Sequence, residues 1–242
     1  MKLPENLDKA LIEKLNSLKK TAYFPKVKVV TSTFDTKSKI GGFPYLRHEN
    51  DWPVCPNCGK HQQLFLQLNL SELPEQQSKG LIQLFYCTTD DAEFYCEEEL
   101  MAYAPDSKIS TCRKIQIEGQ SASISPTIDE LFEEKVIEGW EAVDDYPHPE
   151  EIYDLDVPFS DEEIETLFKN RITAMSGDKL FGYPNWIQGV EYPTDENGDY
   201  MEMVFQLESK KNLPYMFGDL GVGHLTQSKN DTNRLAFGWA CH

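Results

Sequence analysis

The sequence predicts a mostly β (α+β) fold in which two related antiparallel β-units pack about a pseudo-two-fold axis, with a few peripheral helices. Three observations lead there. Short runs of apolar and β-branched residues recur between turns containing glycine and proline, the pattern of strands. Sustained helical spacing is confined to residues 5–19 and to the stretch after Ser160. The two ends of the chain also repeat one order of features. Gly42-Phe43-Pro44-Tyr45, "LFLQLNL" and Gly80–Phe85 are answered by Gly182-Tyr183-Pro184-Asn185, "MVFQLES" and Gly221–Thr226. Pro44 lies 23 positions before Gln67 and Pro184 lies 22 before Gln206, which reads as an internal duplication over about 37–119 and 178–242. The second unit has no Cys pair at the position matching Cys55 and Cys58, so the unit can be built without a metal.

Taken in order, Leu7, Leu11, Ile12, Leu15 and Leu18 form the apolar stripe of an N-terminal helix over 5–19, which Pro25 follows. "VKVVTSTF" (Val27–Phe34) reads as a strand. "SKIGGFPYL" (Ser38–Leu46) is a loop whose Gly-Gly pair demands unusual backbone angles. "LFLQLNL" (Leu64–Leu70) and "GLIQLFYC" (Gly80–Cys87) are short buried strands, and "CRKIQIEG" (Cys112–Gly119) alternates like an edge strand. Residues 127–176 read as an acidic helical insert. Thr127 with Glu130 and Ser160 with Glu163 have capping-box spacing, and the second opens onto Ile164, Leu167, Phe168 and Ile172. "VIEGWEAV" (Val136–Val143) fits a strand equally well because Gly139 interrupts it. Asn197-Gly198 marks a hairpin turn before the strand in Tyr200–Ser209. Gly221–Gln227 and Leu235–His242 supply the last strands. The whole chain, 1–242, reads as a single domain.

The 242 residues include 41 acidic and 23 basic side chains, a net charge of −18. Such a surface repels nucleic acid and anionic membrane and suits a basic protein partner. The acids cluster in "EEEL" (Glu97–Leu100), "DELFEE" (Asp129–Glu134), "DDYPHPEE" (Asp144–Glu151) and "SDEEIE" (Ser160–Glu165). Pro4 and several charges occupy the place of a secretory apolar core, and no apolar run approaches the ~18 residues of a membrane helix. A cytoplasmic protein is the expectation. Six cysteines there point to metal or free thiols rather than a disulfide framework.

Cys55-x-x-Cys58 followed by Gly59 is a turn that converges two thiolates on one ion. The remaining ligands must come from Cys87, Cys96, Cys112, His48 or His61. Cys87 ends a strand and Cys96 lies nine residues on, so this pair can close a flap over the first. Cys55, Cys58, Cys87 and Cys96 would make a four-thiolate zinc site, coordinatively closed and therefore structural. A redox Cys-x-x-Cys sits at a helix N-terminus after a strand, whereas here a strand follows. Cys241 reads as a free thiol. Asp195, Asn197 and Asp199 lack the glycine and glutamate offsets of a calcium loop. Gln67 and Gln206 are polar residues in apolar strands at matching positions. They imply either a hydrogen-bond network across the halves or, with Trp186 and Gln188, the polar floor of a cleft between them.

"SKIGGFPYL", "FLQLNLSELP", "GLIQLFY", "GYPNWIQG", "VFQLES" and "FGDLGVGHL" resemble the YwqG-like bacterial proteins over about residues 37–242. That resemblance implies a cytosolic, mostly β fold with internal pseudo-symmetry, and some members have been proposed as immunity proteins against toxins. "SKIGG…CPNCGK…LFLQLNL…LFYC" is also similar to the programmed-cell-death-protein-2 family, which is associated with chaperoning a ribosomal protein. Gly41, Gly42, Pro44, Cys55, Cys58, Gly59 and Gln67 match its pattern, which implies a zinc role for Cys55 and Cys58, with Cys87 also matched. This chain lacks that family's second Cys-x-x-Cys and its cysteine-rich insert. Neither resemblance places a catalytic residue. The expected function is a non-enzymatic binding domain with a structural zinc and a basic protein partner, a toxin domain or a ribosomal protein. The alternatives are a small-ligand domain using the cleft and an enzyme of unidentified site.

Overall fold

The structure, a computed structural model, describes residues 3–4, 7–75, 78–89 and 94–242. In chain order the elements are α1 (Lys9–Leu18), β1 (Lys20–Val29), β2 (Lys39–Ile40), β3 (Gln63–Asn69), β4 (Leu81–Tyr86), α2 (Cys96–Glu99), β5 (Ser110–Ile115), β6 (Lys135–Asp145), α3 (Asp161–Lys169), β7 (Lys179–Phe181), β8 (Glu202–Glu208), β9 (Val222–Gln227) and β10 (Leu235–Ala240). The strands form one antiparallel sheet in the order β10-β9-β8-β7-β1-β6-β2-β3-β4-β5.

That order is a palindrome. β2 to β5 fan out on one side of the central β1–β6 pair and β7 to β10 on the other, so the pseudo-two-fold axis passes between β1 and β6. The central strands are exchanged: β1 neighbours β7 and β6 neighbours β2. Each unit is thereby woven into the other along a ladder running from Lys20–Asp145 to Val29–Lys135, interrupted by one bulge between Lys26 and Val27.

The centre is where the sequence reading needs correction. The strand expected over Val27–Phe34 begins seven residues earlier and passes through Pro25. Proline is tolerated because β7 reaches only Ala22 and Tyr23, leaving β1 with one neighbour at Pro25. Within 127–176, only α3 and a 3-10 turn at Glu151–Asp154 are helical, and β6 occupies the middle. Thr127 caps no helix because His61 takes its polar groups. The Thr127 hydroxyl accepts from the His61 amide at 3.1 Å, and the Thr127 amide donates to His61 Nδ1 at 3.0 Å. The Ser160–Glu163 capping box does form and starts α3. The expected N-terminal helix starts at Lys9, capped by the Asp8 carboxylate; Glu5 and Asn6 lie outside the described residues.

Gln67 and Gln206 face neither a shared cleft nor each other. Both are fully buried, and each is consumed within its own unit. Gln67 accepts from the Tyr45 amide at 2.8 Å and donates to the Asp35 and Lys37 carbonyls. Gln206 accepts from the Asn185 amide at 2.8 Å and donates to the Gly177 carbonyl. Each amide clamps the loop that follows the repeated glycine. Opposite them in register stand two fully buried lysines, Lys39 and Lys179. Lys39 pairs with Glu134 at 3.2 Å and Lys179 with Asp145 at 2.8 Å, one carboxylate at each end of β6. The repeated glycines make room for these pairs. A Cβ on Gly42 would lie 2.3 Å from Glu134 Oε2, one on Gly182 2.3 Å from Asp145 Oδ2, and both backbones are left-handed.

The largest apolar cluster lies between the units around Phe65, Tyr86, Phe205, Phe217 and Phe237, and α1 packs on Tyr146, Leu167 and Ile172. The sheet's two edges are brought together by the strap Tyr103–Pro105, which precedes β5. The Phe237 amide donates to the Pro105 carbonyl at 3.1 Å and the Trp239 amide to the Tyr103 carbonyl at 3.2 Å. Trp239 Nε1 also donates to the Tyr86 hydroxyl at 3.0 Å. The outer edge of β10 is therefore covered rather than left open for pairing. Among the described residues no helix is long and apolar enough to cross a membrane.

Candidate metal centre

Cys55 and Cys58 lie on a tight turn closed by the Val54–His61 bridge. The Cys55 amide donates to the Lys60 carbonyl, the Gly59 amide to the Cys55 carbonyl, and Gly59 takes the left-handed angle that reverses the chain. Cys87 is the first residue past β4 and is anchored by its amide to the Ile109 carbonyl. Cys96 opens the single turn of α2 after Tyr95, whose backbone is left-handed. Four separate backbone constraints thus point four thiols at one spot.

The four Sγ atoms lie within 4.8 Å of one another. Cys55 and Cys96 are separated by 3.9 Å, Cys58 and Cys87 by 3.7 Å. A Zn–S bond of about 2.3 Å gives a tetrahedron with edges of about 3.8 Å, so the donors suit an ion such as zinc, whereas a disulfide needs about 2.05 Å. Cys55, Cys87 and Cys96 are buried and Cys58 is half-buried. Cys112, on β5, and Cys241 stand apart from the cluster, and His61 is committed to Thr127.

Two partners escaped the sequence reading. Asn57 Nδ2 donates to Cys96 Sγ at 3.4 Å, and Thr89 Oγ1 lies 3.4 Å from Cys58 Sγ. Burial pushes the Cys96 thiol up to about 11 and Cys87 higher still. Burial also acts upward on Cys58, but Thr89, the Lys60 amide and the neighbouring thiols outweigh it and bring Cys58 down to about 7. Cys58 is thus the readier of these three to ionise, and a dication would be needed to draw the protons from Cys87 and Cys96.

The second unit carries the same turn without thiols. Asp51-Trp52-Pro53-Val54 corresponds, at an offset of 140, to Glu191-Tyr192-Pro193-Thr194, and the Val54–His61 bridge to Thr194–Tyr200. Asp195 then stands for Cys55, and Ser228, the first residue past β9, for Cys87. Ser228 Oγ donates to Asp195 Oδ2 at 2.6 Å, and Asn230 Nδ2 to the same oxygen at 2.9 Å. Hydrogen bonds tie turn to strand end in one unit where thiols converge in the other.

The chain beyond Cys96 leads directly to the strap, which walls a cavity of about 540 Å³ on the second unit. Trp186 and Gln188, the other expected cleft residues, do line it, with His224 and Gly238. His224 is 8% exposed, and Trp186 meets it edge-on at 5.0 Å between centroids. The repeated glycines Gly80 and Gly221 before β4 and β9 are the signal that aligns His224 with Gln83.

Burial, and then the Lys179 charge, lower the His224 pKa to about 3, against about 6.5 in an unfolded chain. The unfolded state thus takes up this proton first. The contribution of neutral His224 is whole above about pH 6.5 and is lost as pH falls towards 3, up to about 5 kcal/mol. Urea denaturation from pH 7 to pH 4 should therefore move in favour of His224→Gln over the parent as acidity rises. Parallel pH curves would refute this.

A family model described as a domain of unknown function (DUF1963) matches residues 38–241. No curated protein matches the chain.

Proposed function

The chain belongs to the DUF1963 family of domains of unknown function, and from that premise we propose a non-enzymatic binding domain whose four cysteines hold a structural zinc and whose acidic face takes a basic protein. The observation that carries this reading is the four-thiol cluster at zinc-tetrahedron spacing. Four thiolates leave a zinc ion no open position for substrate or activated water.

What the ion would fix is a recognition strip. The segment around Cys96, from Tyr95 to Tyr103, exposes Tyr95, Met101 and Tyr103 and carries Glu97, Glu98 and Glu99. Aromatic faces beside carboxylates attract cationic and apolar side chains together. Tyr215 donates to Glu97 and links the strip to the second unit. A cytosolic setting, which keeps thiols reduced, suits this chemistry. The YwqG-like resemblance points to an immunity role and the programmed-cell-death-protein-2 resemblance to chaperoning, and in this reading the held partner is basic in either case.

Capture from native cell extract by the full chain, with mass spectrometry of the eluate, tests the reading. A stoichiometric basic protein, released at high salt and lost with the triple variant Glu97→Gln, Glu98→Gln, Glu99→Gln, is the expected outcome. A partner indifferent to both, or no partner, overturns it. The second reading, a small-ligand domain, draws on the cavity beside Trp186 and Gln188.

A further inference from the structure

The pseudo-symmetry offers an internal template for that cavity. In the first unit the corresponding place is filled by the chain itself. β5 sets Arg113 opposite Gln83 of β4. Arg113 Nε donates to Gln83 Oε1 at 2.8 Å, Nη1 donates to the Asp51 carbonyl at 2.6 Å, and the guanidinium lies 5.0 Å from the Phe85 ring centroid.

The second unit has the same frame with the plug removed. β10 sets Gly238 opposite His224 of β9. His224 stands for Gln83, Glu191 for Asp51, and Gly238 for Arg113; all three line the cavity. Phe85 is answered by Thr226, and the aromatic surfaces come instead from Trp186 and Trp239. The strap explains the glycine: a Cβ on Gly238 would lie 2.9 Å from the Tyr103 carbonyl oxygen. The segment that closes the sheet therefore excludes an arginine from β10 and leaves its place open.

Two buried atoms of the cavity wall make no hydrogen bond: Trp186 Nε1, a donor that stands near the Glu151 carboxylate, and His224 Nε2, which is left for a ligand. The His224 side chain is more than nine-tenths buried. Gln83 Oε1, at the matching position, receives Arg113. A buried polar atom without a partner costs about 1–3 kcal/mol, and a bound donor would recover this. His224 resists protonation, so its imidazole is neutral and can accept. With a net charge of −18 the chain disfavours an anion there.

We propose that the cavity beside Trp186 receives a guanidinium group, which donates to His224, packs on the Trp186 and Trp239 rings and faces the Glu191 carboxylate. The group takes the place that Arg113 holds in the first unit. Its two possible sources are an arginine side chain of a partner protein and a free guanidino compound. The assignment deepens the binding reading above, and rests on it only for the protein source.

Calorimetric titration of the zinc-loaded full chain tests it, with tryptophan fluorescence in parallel. The probes are the peptide Gly-Gly-Arg-Gly-Gly with blocked ends, its lysine counterpart, and agmatine. The arginine peptide or agmatine should bind about tenfold tighter than the lysine peptide, because a planar fork stacks and donates where a point charge does not. Glu191→Gln, a substitution at an exposed carboxylate, should weaken binding about fivefold, and Trp186→Leu should weaken it further while abolishing the fluorescence change. Equal binding of arginine and lysine peptides, or binding unchanged in both variants, overturns the assignment as mere attraction to an acidic surface. Tighter binding of the peptide than of agmatine identifies the protein source, and the reverse a small molecule; either supports the guanidinium site. Guanidinium binding without a captured protein removes only the protein-partner reading. A captured protein indifferent to Glu191→Gln, with no guanidinium binding, removes only the cavity assignment.

Discussion

Cys87→Ser should reduce bound zinc from about one ion per chain to a small fraction and destabilise the fold by several kcal/mol. Cys87 is buried, sits at the junction of β4 with the flap, and is 3.7 Å from Cys58. Without it, three thiols and a hydroxyl face the ion, and serine is a poor zinc ligand at neutral pH. The loss should stay well below the roughly 10–16 kcal/mol of zinc-finger peptides, whose fold depends wholly on metal. Here the sheet has its own apolar core, and the second unit closes the equivalent turn with Asp195, Ser228 and Asn230. The damage should therefore be local. Hydrogen exchange should rise across 94–109 and along the Tyr103–Pro105 pairing with β10, while β3 and β8 stay protected. Cys112→Ser, outside the cluster, should leave metal content unchanged. Full zinc occupancy in Cys87→Ser would remove this residue from the ligand set.

Asp145→Ala should cost about 3–5 kcal/mol, measured by urea denaturation at pH 7. Its carboxylate and the Lys179 ammonium are both fully buried at 2.8 Å. The same carboxylate accepts from the Met175 amide at 2.7 Å and the Tyr183 amide at 2.9 Å. Removing it strands a cation and two amides together. Burial already lowers the Lys179 pKa, and the opposing pull of Asp145 would be gone. The double variant Asp145→Leu with Lys179→Met should recover part of the loss, since neither member of this pair then leaves an unpaired buried charge, although the two amides stay unpaired. An Asp145→Ala variant within about 1 kcal/mol of the parent would contradict this account of the centre.

Most strands were legible because their signal is local. β3, β4, β8, β9 and β10 read directly from apolar runs between glycine and proline turns. The helix α3 read from its capping box and spacing. The central pair β1–β6 was not legible in the same way. Pro25 and Gly139 break the local pattern, and both are tolerated because of what lies beside them: an open flank at Pro25 and a bulge near Lys26 and Val27. Thr127 misled for a related reason, its hydroxyl being claimed by a residue 66 positions away.

The sequence by itself determined a mostly β chain of two related units, its acidic character, and the four cysteines to examine, because residue type, period and spacing carry those facts. Only the tertiary structure decided what meets what. It brought four thiols from a turn, a strand end and a flap to zinc-tetrahedron spacing, and spent Gln67 and Gln206 on loops within their own units. It also laid a strap across Gly238 that opens, beside His224, the space Arg113 fills in the first unit. Those outcomes depend on pairing between residues far apart in the chain, and a local pattern of side chains does not record them.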